Sequence, residues 1–383
     1  MSVHATRAVF MRGGTSKGII FRAEDLPRDR SAWDPIFLAA MGSPDPSGRQ
    51  LDGMGGGLSS LSKICVVGSS TRSDADVDYT FAQVAVDQAA VDYAANCGNM
   101  SSAIGPFAVD EALVAAPTGD EAVVRMHNTN TGKIIVSRFP VKDGRPEVEG
   151  DFAIDGVAGS AAPIRLDFAD PAGSKTGALL PTGNVTDEFE VPGFGAVRVS
   201  LIDAANPTVL VAAADVGMRR IESPIAIERD RDLMHRLENL RRISSVAMGI
   251  APDLENAGRI VSTPKIGMLC APIETTLLSG RPMAADSTDI IVRAISVGQP
   301  HRAVPLTLAL CLAVACRIPG TVAHRLVRAG PSSAAVRIGH PSGSMLVAAA
   351  VTETGDGYDV PFATIYRTAR RLFQGEVLYS LST

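Results

Sequence analysis

Apolar residues in this chain come in short runs broken by small and polar ones, a pattern of short strands joined by tight turns. Ala8 to Ala23 (AVFMRGGTSKGIIFRA) predicts a strand, a small-residue turn and a second strand. Leu61 to Gly68 (LSKICVVG) predicts a strand opened by Lys63, and Val124 to Lys133 (VRMHNTNTGK) a strand running into a polar turn. Two stretches differ, being Ala-rich: about Asn99 to Val114 and about Arg302 to Ile318. Each predicts a buried helix. Asn96-Cys97-Gly98-Asn99 opens the first and Gln299-Pro300-His301 the second.

These landmarks occur twice, in the same order. Ser200 to Ala213 (SLIDAANPTVLVAA) answers the first strand pair, with Thr208 matching Thr15. Thr263 to Ala271 (TPKIGMLCA) answers the Lys63 strand, with Lys265 in its place. Val336 to Gly343 (VRIGHPSG) answers the Val-Arg strand, Arg337 matching Arg125. Four landmarks in the same order imply duplication. The expected fold class is α+β: two similar domains, each a curled, mainly antiparallel sheet around a central helix, with a site in the cleft between them. The stretch Pro171 to Val191, rich in Gly, Pro, Thr and Asp, is the expected linker, so the domains are read as 1–185 and 186–383.

Composition narrows the function. A 46% hydrophobic chain of 383 residues has apolar material for two cores, and a net charge of −5 without a basic stripe argues against nucleic acid. The longest apolar run, Ala303 to Cys316, contains Pro305 and is well short of the roughly 18 residues of a membrane span. Five cysteines, none in a CxxC pair, indicate neither a disulfide framework nor a zinc site, and a reduced cytoplasmic location follows.

Candidate chemistry centres on two residues. Cys97 lies at a helix N-terminus between two asparagines and a glycine, where the helix end and a nearby cation favour thiolate. Its competing reading is a small buried hydrophobe, the natural one for Cys311, Cys316, Cys65 and Cys270. Lys63 stands at the mouth of an apolar strand, after Gly55, Gly56 and Gly57, where partial burial suits a general base; a solvated strand-end lysine is the alternative. No nucleotide-binding loop is met, since Met54 to Leu58 does not continue to GxGxxG. Backbone amides around Gly13 to Ser16, Gly55 to Gly57 and Gly98-Asn99 are instead candidates for holding carboxylates. The second half adds Lys265, Arg281, Ser296, His301, His340, Ser342 and Gly343 as binding candidates.

Met11 to Gly18 (MRGGTSKG), Gly42 to Gly57 (GSPDPSGRQLDGMGGG), Ser62-Lys63, Asn96 to Asn99 (NCGN), Pro181 to Asn184 (PTGN) and His340 to Gly343 (HPSG) carry a resemblance. With them the chain resembles the PrpF-type methylaconitate isomerases, relatives of diaminopimelate epimerase, nearly end to end. The resemblance implies the epimerase-like two-domain fold and acid/base isomerisation of an aconitate-like substrate, with no metal or organic cofactor. It puts proton transfer on Lys63 and Cys97, with Lys63 as base and Cys97 as acid or the reverse. Thr15, Ser16, Lys17, Gly55, Gly56, Gly57, Asn96, Gly98, Asn99 and the second-half candidates fall to substrate binding. His301, where the epimerases have a second cysteine, speaks against a two-thiol racemase. The expected partner is a small unsaturated di- or tricarboxylate, with no nucleic acid or membrane; a homodimer stays open. The alternatives are 4-oxalomesaconate tautomerase, a methylitaconate-type double-bond isomerase, and a non-catalytic carboxylate-binding protein.

Overall fold

The computed structural model describes residues 2–93, 96–218, 221–260, 262–296, 298–328, 335–355 and 357–381. The chain forms a sheet-dominated α+β fold of two compact units: residues 1–167 with 366–383, and residues 168–365.

In the first unit, strands β1 (Ser2–Gly13) and β2 (Ser16–Arg22) form a hairpin. Helix α1 (Trp33–Met41) follows, then β3 (Lys63–Ser69), β4 (Val77–Val84), helix α2 (Gly98–Asp110), β5 (Glu121–Asn128) and β6 (Lys133–Lys142). β7 (Ile164–Ala169) carries the chain across the boundary. In the second unit come β8 (Asp187–Val191), β9 (Gly195–Asp203), β10 (Pro207–Ala212), helix α3 (Arg231–Ala247), β11 (Lys265–Cys270) and β12 (Ile290–Ser296). Helix α4 (Leu306–Ala315), β13 (Ala335–His340), β14 (Gly343–Thr354) and β15 (Gly357–Arg367) complete it. The last strand, β16 (Ala369–Leu381), returns to the first unit and pairs with β1 along its length.

Strand pairing shows the duplication directly. In the first unit the ladder runs β16, β1, β2, β3, β4, β5, β6, with β2–β3 and β4–β5 parallel and every other pair antiparallel. In the second it runs β8, β9, β10, β11, β12, β13, β14, with parallel pairs at the same two steps. An ion pair repeats with it. Arg125 and Asp76 meet at 2.7 Å, Arg337 and Asp289 at 2.8 Å, and each carboxylate also takes the backbone N–H of its arginine. Lys63 stands beside Gly18, and Lys265 beside Thr208. Thr208 therefore matches Gly18 rather than Thr15; the hairpin turn of the second copy is one residue longer, Asp203 facing Pro207 where Gly13 faces Ser16.

The units depart from a division at residue 185 for the same topological reason. The strand that heads the second ladder, β8, begins at Asp187, but its counterpart in the first ladder is β16, supplied from the far end of the chain.

Each sheet has a helix on either face. The period of two in β1–β4 sends Ala8, Phe10, Ile19, Phe21, Ile64, Val66, Ala82 and Val84 to one side, packed on Trp33, Ile36 and Phe37 of α1. The other side meets α2, which is buried from Met100 to Ala108 and touches β1, β2, β3, β5, β6 and β16. Close packing is built in: a methyl on Gly105 would lie 2.6 Å from Ser137 Oγ on β6. α4 plays the same part in the second unit, buried from Leu308 to Ala315. Its start differs from the expected Arg302 because Pro305 takes the cap position and holds the preceding residue extended. Amphipathic α3, capped by Asp230 accepting from Leu233 N at 2.9 Å, covers the other face with Leu233, Leu237 and Leu240.

Candidate active site

Lys63 is the first residue of β3, and the pleat that puts Ile64 and Val66 on the α1 side puts Lys63 and Cys65 on the α2 side. The side chain is buried, its residue only 8% exposed. An ammonium in that position needs a partner. Directly across the antiparallel ladder stands Gln83, whose Oε1 accepts from Lys63 Nζ at 2.6 Å. Gln83 is itself fixed, its Nε2 donating to the carbonyls of Ser59 and Ser62 at 3.0 Å. The Phe81 ring, 5.1 Å from Nζ, adds a cation–π contact.

Cys97 caps α2 on the same side of the sheet, half-buried, and its carbonyl accepts the first helical bond from Ser101 N at 2.9 Å. Buried Cys65 feels both groups. Burial pushes its thiol up strongly, the Cys97 charge pushes the same way and the Lys63 charge opposes. The charges of Lys63 and Cys97 therefore both reach Cys65.

The β1–β2 turn closes over the start of α2. A methyl on Gly13 would lie 2.5 Å from the Asn99 carbonyl oxygen, and one on Gly14, at φ +51°, would collide with the Asn99 side chain. Only glycine lets the turn approach this closely. Asn99 Nδ2 then reaches Thr15 Oγ1 at 3.2 Å, and Ser16 lies buried on the same face. Asn96 is turned toward the core: its Oδ1 accepts from the Tyr79 hydroxyl at 3.1 Å and the Ser101 hydroxyl at 3.3 Å. Burial pushes the Tyr79 phenol up, so it stays a donor.

Lys17 is not brought to this group. It sits one residue from Ser16 and Gly18 and so points to the α1 face, its ammonium 5.6 Å from the Phe10 ring. The glycine run is also partly engaged. Gly55 N donates to Met41 O at 3.2 Å and Gly57 N to Gln50 Oε1 at 2.9 Å, so these two amides hold the loop rather than present to an anion. Gly98 is buried in the first turn of α2, and Gly56 packs against Leu61.

The second unit gathers its own candidates. Lys265 opens β11 on the α4 face, where burial lowers its ammonium to about 8, with Lys175 pushing the same way and Cys311 opposing. His301, lowered first by burial, also feels the Lys265 charge; its Nδ1 accepts from Ala303 N at 3.0 Å. The His340–Gly343 turn lies beside it, with Ser342 Oγ donating to Arg302 O at 2.5 Å and Ser342 N to His340 Nδ1 at 3.2 Å. Ser296 ends β12, just past the Ile266–Ile295 pair. Arg281 is exposed in a separate hairpin, where Leu278 N donates to Pro341 O at 2.8 Å. Cys65, Cys311 and Cys316 are buried as expected, whereas Cys270 is only half-buried.

Two residues escaped the sequence reading. Gln83 is the penultimate residue of β4 and gains meaning only through register with Lys63. Arg367 is 6% exposed, and its Nε donates to Asn99 Oδ1 at 3.1 Å across 268 residues of chain.

The model of the PrpF protein family matches residues 3–380. The chain belongs to the PrpF family. The 2-methyl-aconitate isomerase of Cupriavidus necator is 40% identical over 97% of this chain and 96% of its own. The (4E)-oxalomesaconate Delta-isomerase of a Novosphingobium species is 41% identical over 96% of each. A solved methylitaconate-delta-isomerase superposes with a TM-score of 0.89 at 39% identity, covering 99% of this chain and 96% of that one. A hydroxyproline epimerase, 11% identical, with a TM-score of 0.51 over 98% of this chain and 92% of its own, shares the fold. The PrpF chain described here is an isomerase with the epimerase-like α+β fold.

Proposed function

We propose that this PrpF protein isomerises small unsaturated polycarboxylates, 2-methylaconitate or aconitate foremost, by moving a proton through Lys63 and Cys97. The observation that carries this is their delivery to one face of one sheet around Cys65, the ammonium held by Gln83 and the thiol at a helix start. Relatives named for 2-methylaconitate and methylitaconate isomerisation support the substrate class.

In this reading one of the pair removes a proton from the carbon γ to a carboxylate, conjugated through the double bond. The electron pair spreads into a dienolate, and the former double bond becomes free to rotate. The other group returns a proton. Return to the same carbon after rotation gives the cis–trans product; return to the far end shifts the double bond. Fixed donors around the developing negative charge supply the electrostatic stabilisation such a step needs. No electron leaves the substrate, so the reaction as written calls for no redox cofactor. The oxalomesaconate relative supports a keto-substituted acid as the next substrate to try.

The test is a panel of these acids incubated with purified protein and a chelator in deuterated water. Isomerisation should proceed, with deuterium at the reprotonated carbon. Lys63→Ala and Cys97→Ala should each lower turnover by about 10² or more, the usual contribution of a positioned acid or base. Turnover untouched by both substitutions would overturn the assignment.

A further inference from the structure

Gln50, inside the Gly42 to Gly57 stretch, is only 1% exposed, and both ends of its amide are partnered. Oε1 accepts from Gly57 N at 2.9 Å and from the Ser62 hydroxyl at 2.5 Å, the shorter of two contacts that hydroxyl makes, the other being 3.0 Å to Leu58 O. Nε2 donates to Ser43 Oγ at 2.8 Å. A backbone N–H can only donate, so Gly57 fixes which amide atom is the oxygen. The loop is shaped around this side chain: a methyl on Gly55 would collide with the amide, and Gln50 itself is held at φ +53° with its backbone N–H donating to Asp45 Oδ2 at 2.6 Å.

Ser62 is where this socket meets the site. It directly precedes Lys63, and its carbonyl accepts from Val84 N at 3.1 Å and from Gln83 Nε2 at 3.0 Å. Gln83 Nε2 also donates to Ser59 O at 3.0 Å, at the start of the Ser59–Leu61 turn. Carbonyls can only accept and an ammonium can only donate, so these bonds turn Gln83 Oε1 toward Lys63 Nζ, 2.6 Å away.

We propose that Gln50 is a positioning residue for Lys63, holding the Ser59–Ser62 turn that aims Gln83 at the ammonium. The inference rests on Lys63 being a reacting group. Gln50 is not proposed to touch substrate. Its residue type follows from the task, since one short arm must accept from Gly57 and Ser62 and donate to Ser43; an aliphatic side chain of similar length leaves those groups without their partner. The glycine run then serves to enclose an amide.

The experiment is a double-mutant cycle between Gln50 and Gln83, read on the panel acid that wild type turns over fastest. Gln50→Leu should lower kcat about tenfold, the scale of a small misplacement of a reacting group, and leave KM within about twofold. Placed in Gln83→Leu, the same change should slow turnover by no more than about twofold further, because the contact it serves is already gone. Where Gln50→Leu does not fold, Ser62→Ala removes only the hydroxyl link, and should cost about threefold alone and nothing in Gln83→Leu. A kcat within error of wild type, or a loss that multiplies in full with that of Gln83→Leu, overturns the proposal. Lys63→Ala separates this from the reading beneath it: multiplying losses with Lys63→Ala inactive sink the positioning role alone, whereas full turnover in Lys63→Ala sinks the assignment of Lys63 itself.

Discussion

Lys63 and Lys265 occupy equivalent rungs of two equivalent ladders, yet their ammonium groups live under different rules. Each is the first residue of the third strand from its hairpin and faces the buried helix of its unit. Lys63 is met across the ladder by Gln83, a side chain long enough to place an oxygen 2.6 Å from Nζ while anchoring itself to two carbonyls. At the corresponding point of the second ladder the strand ends in Ser296, whose hydroxyl is too short for that part. Among the described residues no acceptor meets Lys265, and burial with Lys175 nearby lowers it to about 8. Duplication copied the backbone scaffold; the polar partner, one substitution away, was not copied. A buried amine without such a partner binds its proton less tightly.

The sharpest way to break this contrast is to remove the partner. Gln83→Leu leaves a buried ammonium without its acceptor and should cost about 2 kcal/mol of stability, with at least a tenfold loss of turnover, measured by denaturant unfolding and isomerase assay. Ser296→Ala, with no such duty, should stay within about 0.5 kcal/mol. Equal costs would mean that the two rungs are not differently supported.

The second test uses pH. Lys265 binds its proton less tightly folded than unfolded, so between about pH 8 and the ordinary lysine range near 10.5 the unfolded chain holds more protons and stability should rise with pH. Relative to Lys265→Met, wild-type stability should therefore gain on the order of 2 kcal/mol across that window and be flat below it. A flat difference across the whole range would remove the contrast between the lysines.

The smallest expected effect sharpens what the copies share. Asp76→Asn and Asp289→Asn remove the same half-exposed ion pair from the same point of each ladder, and each should cost about 0.5–1 kcal/mol. Costs differing by more than that range would show the two ladders to be unequally strained despite their common pairing.

The amino-acid sequence by itself determined what neighbouring residues can decide. Short apolar runs gave the strands, and Lys63 and Lys265 stand at their mouths as expected. Ala-rich stretches gave α2 and α4, and the repeated landmarks gave two copies of one ladder. Cys97 at a helix start was legible too, because capping is a matter of adjacent residues. Only the tertiary structure decided which side chain meets which. Gln83 reaches Lys63 through strand register, Arg367 reaches Asn99 from the far end of the chain, and Lys17 is turned from the site by a pleat that fixes its face relative to Ser16. The glycine-run amides found partners in Met41 and Gln50 for the same reason. Local pattern fixes how a segment folds and which way it alternates, whereas a partner depends on how distant segments are brought together, and that depends on packing the whole chain at once.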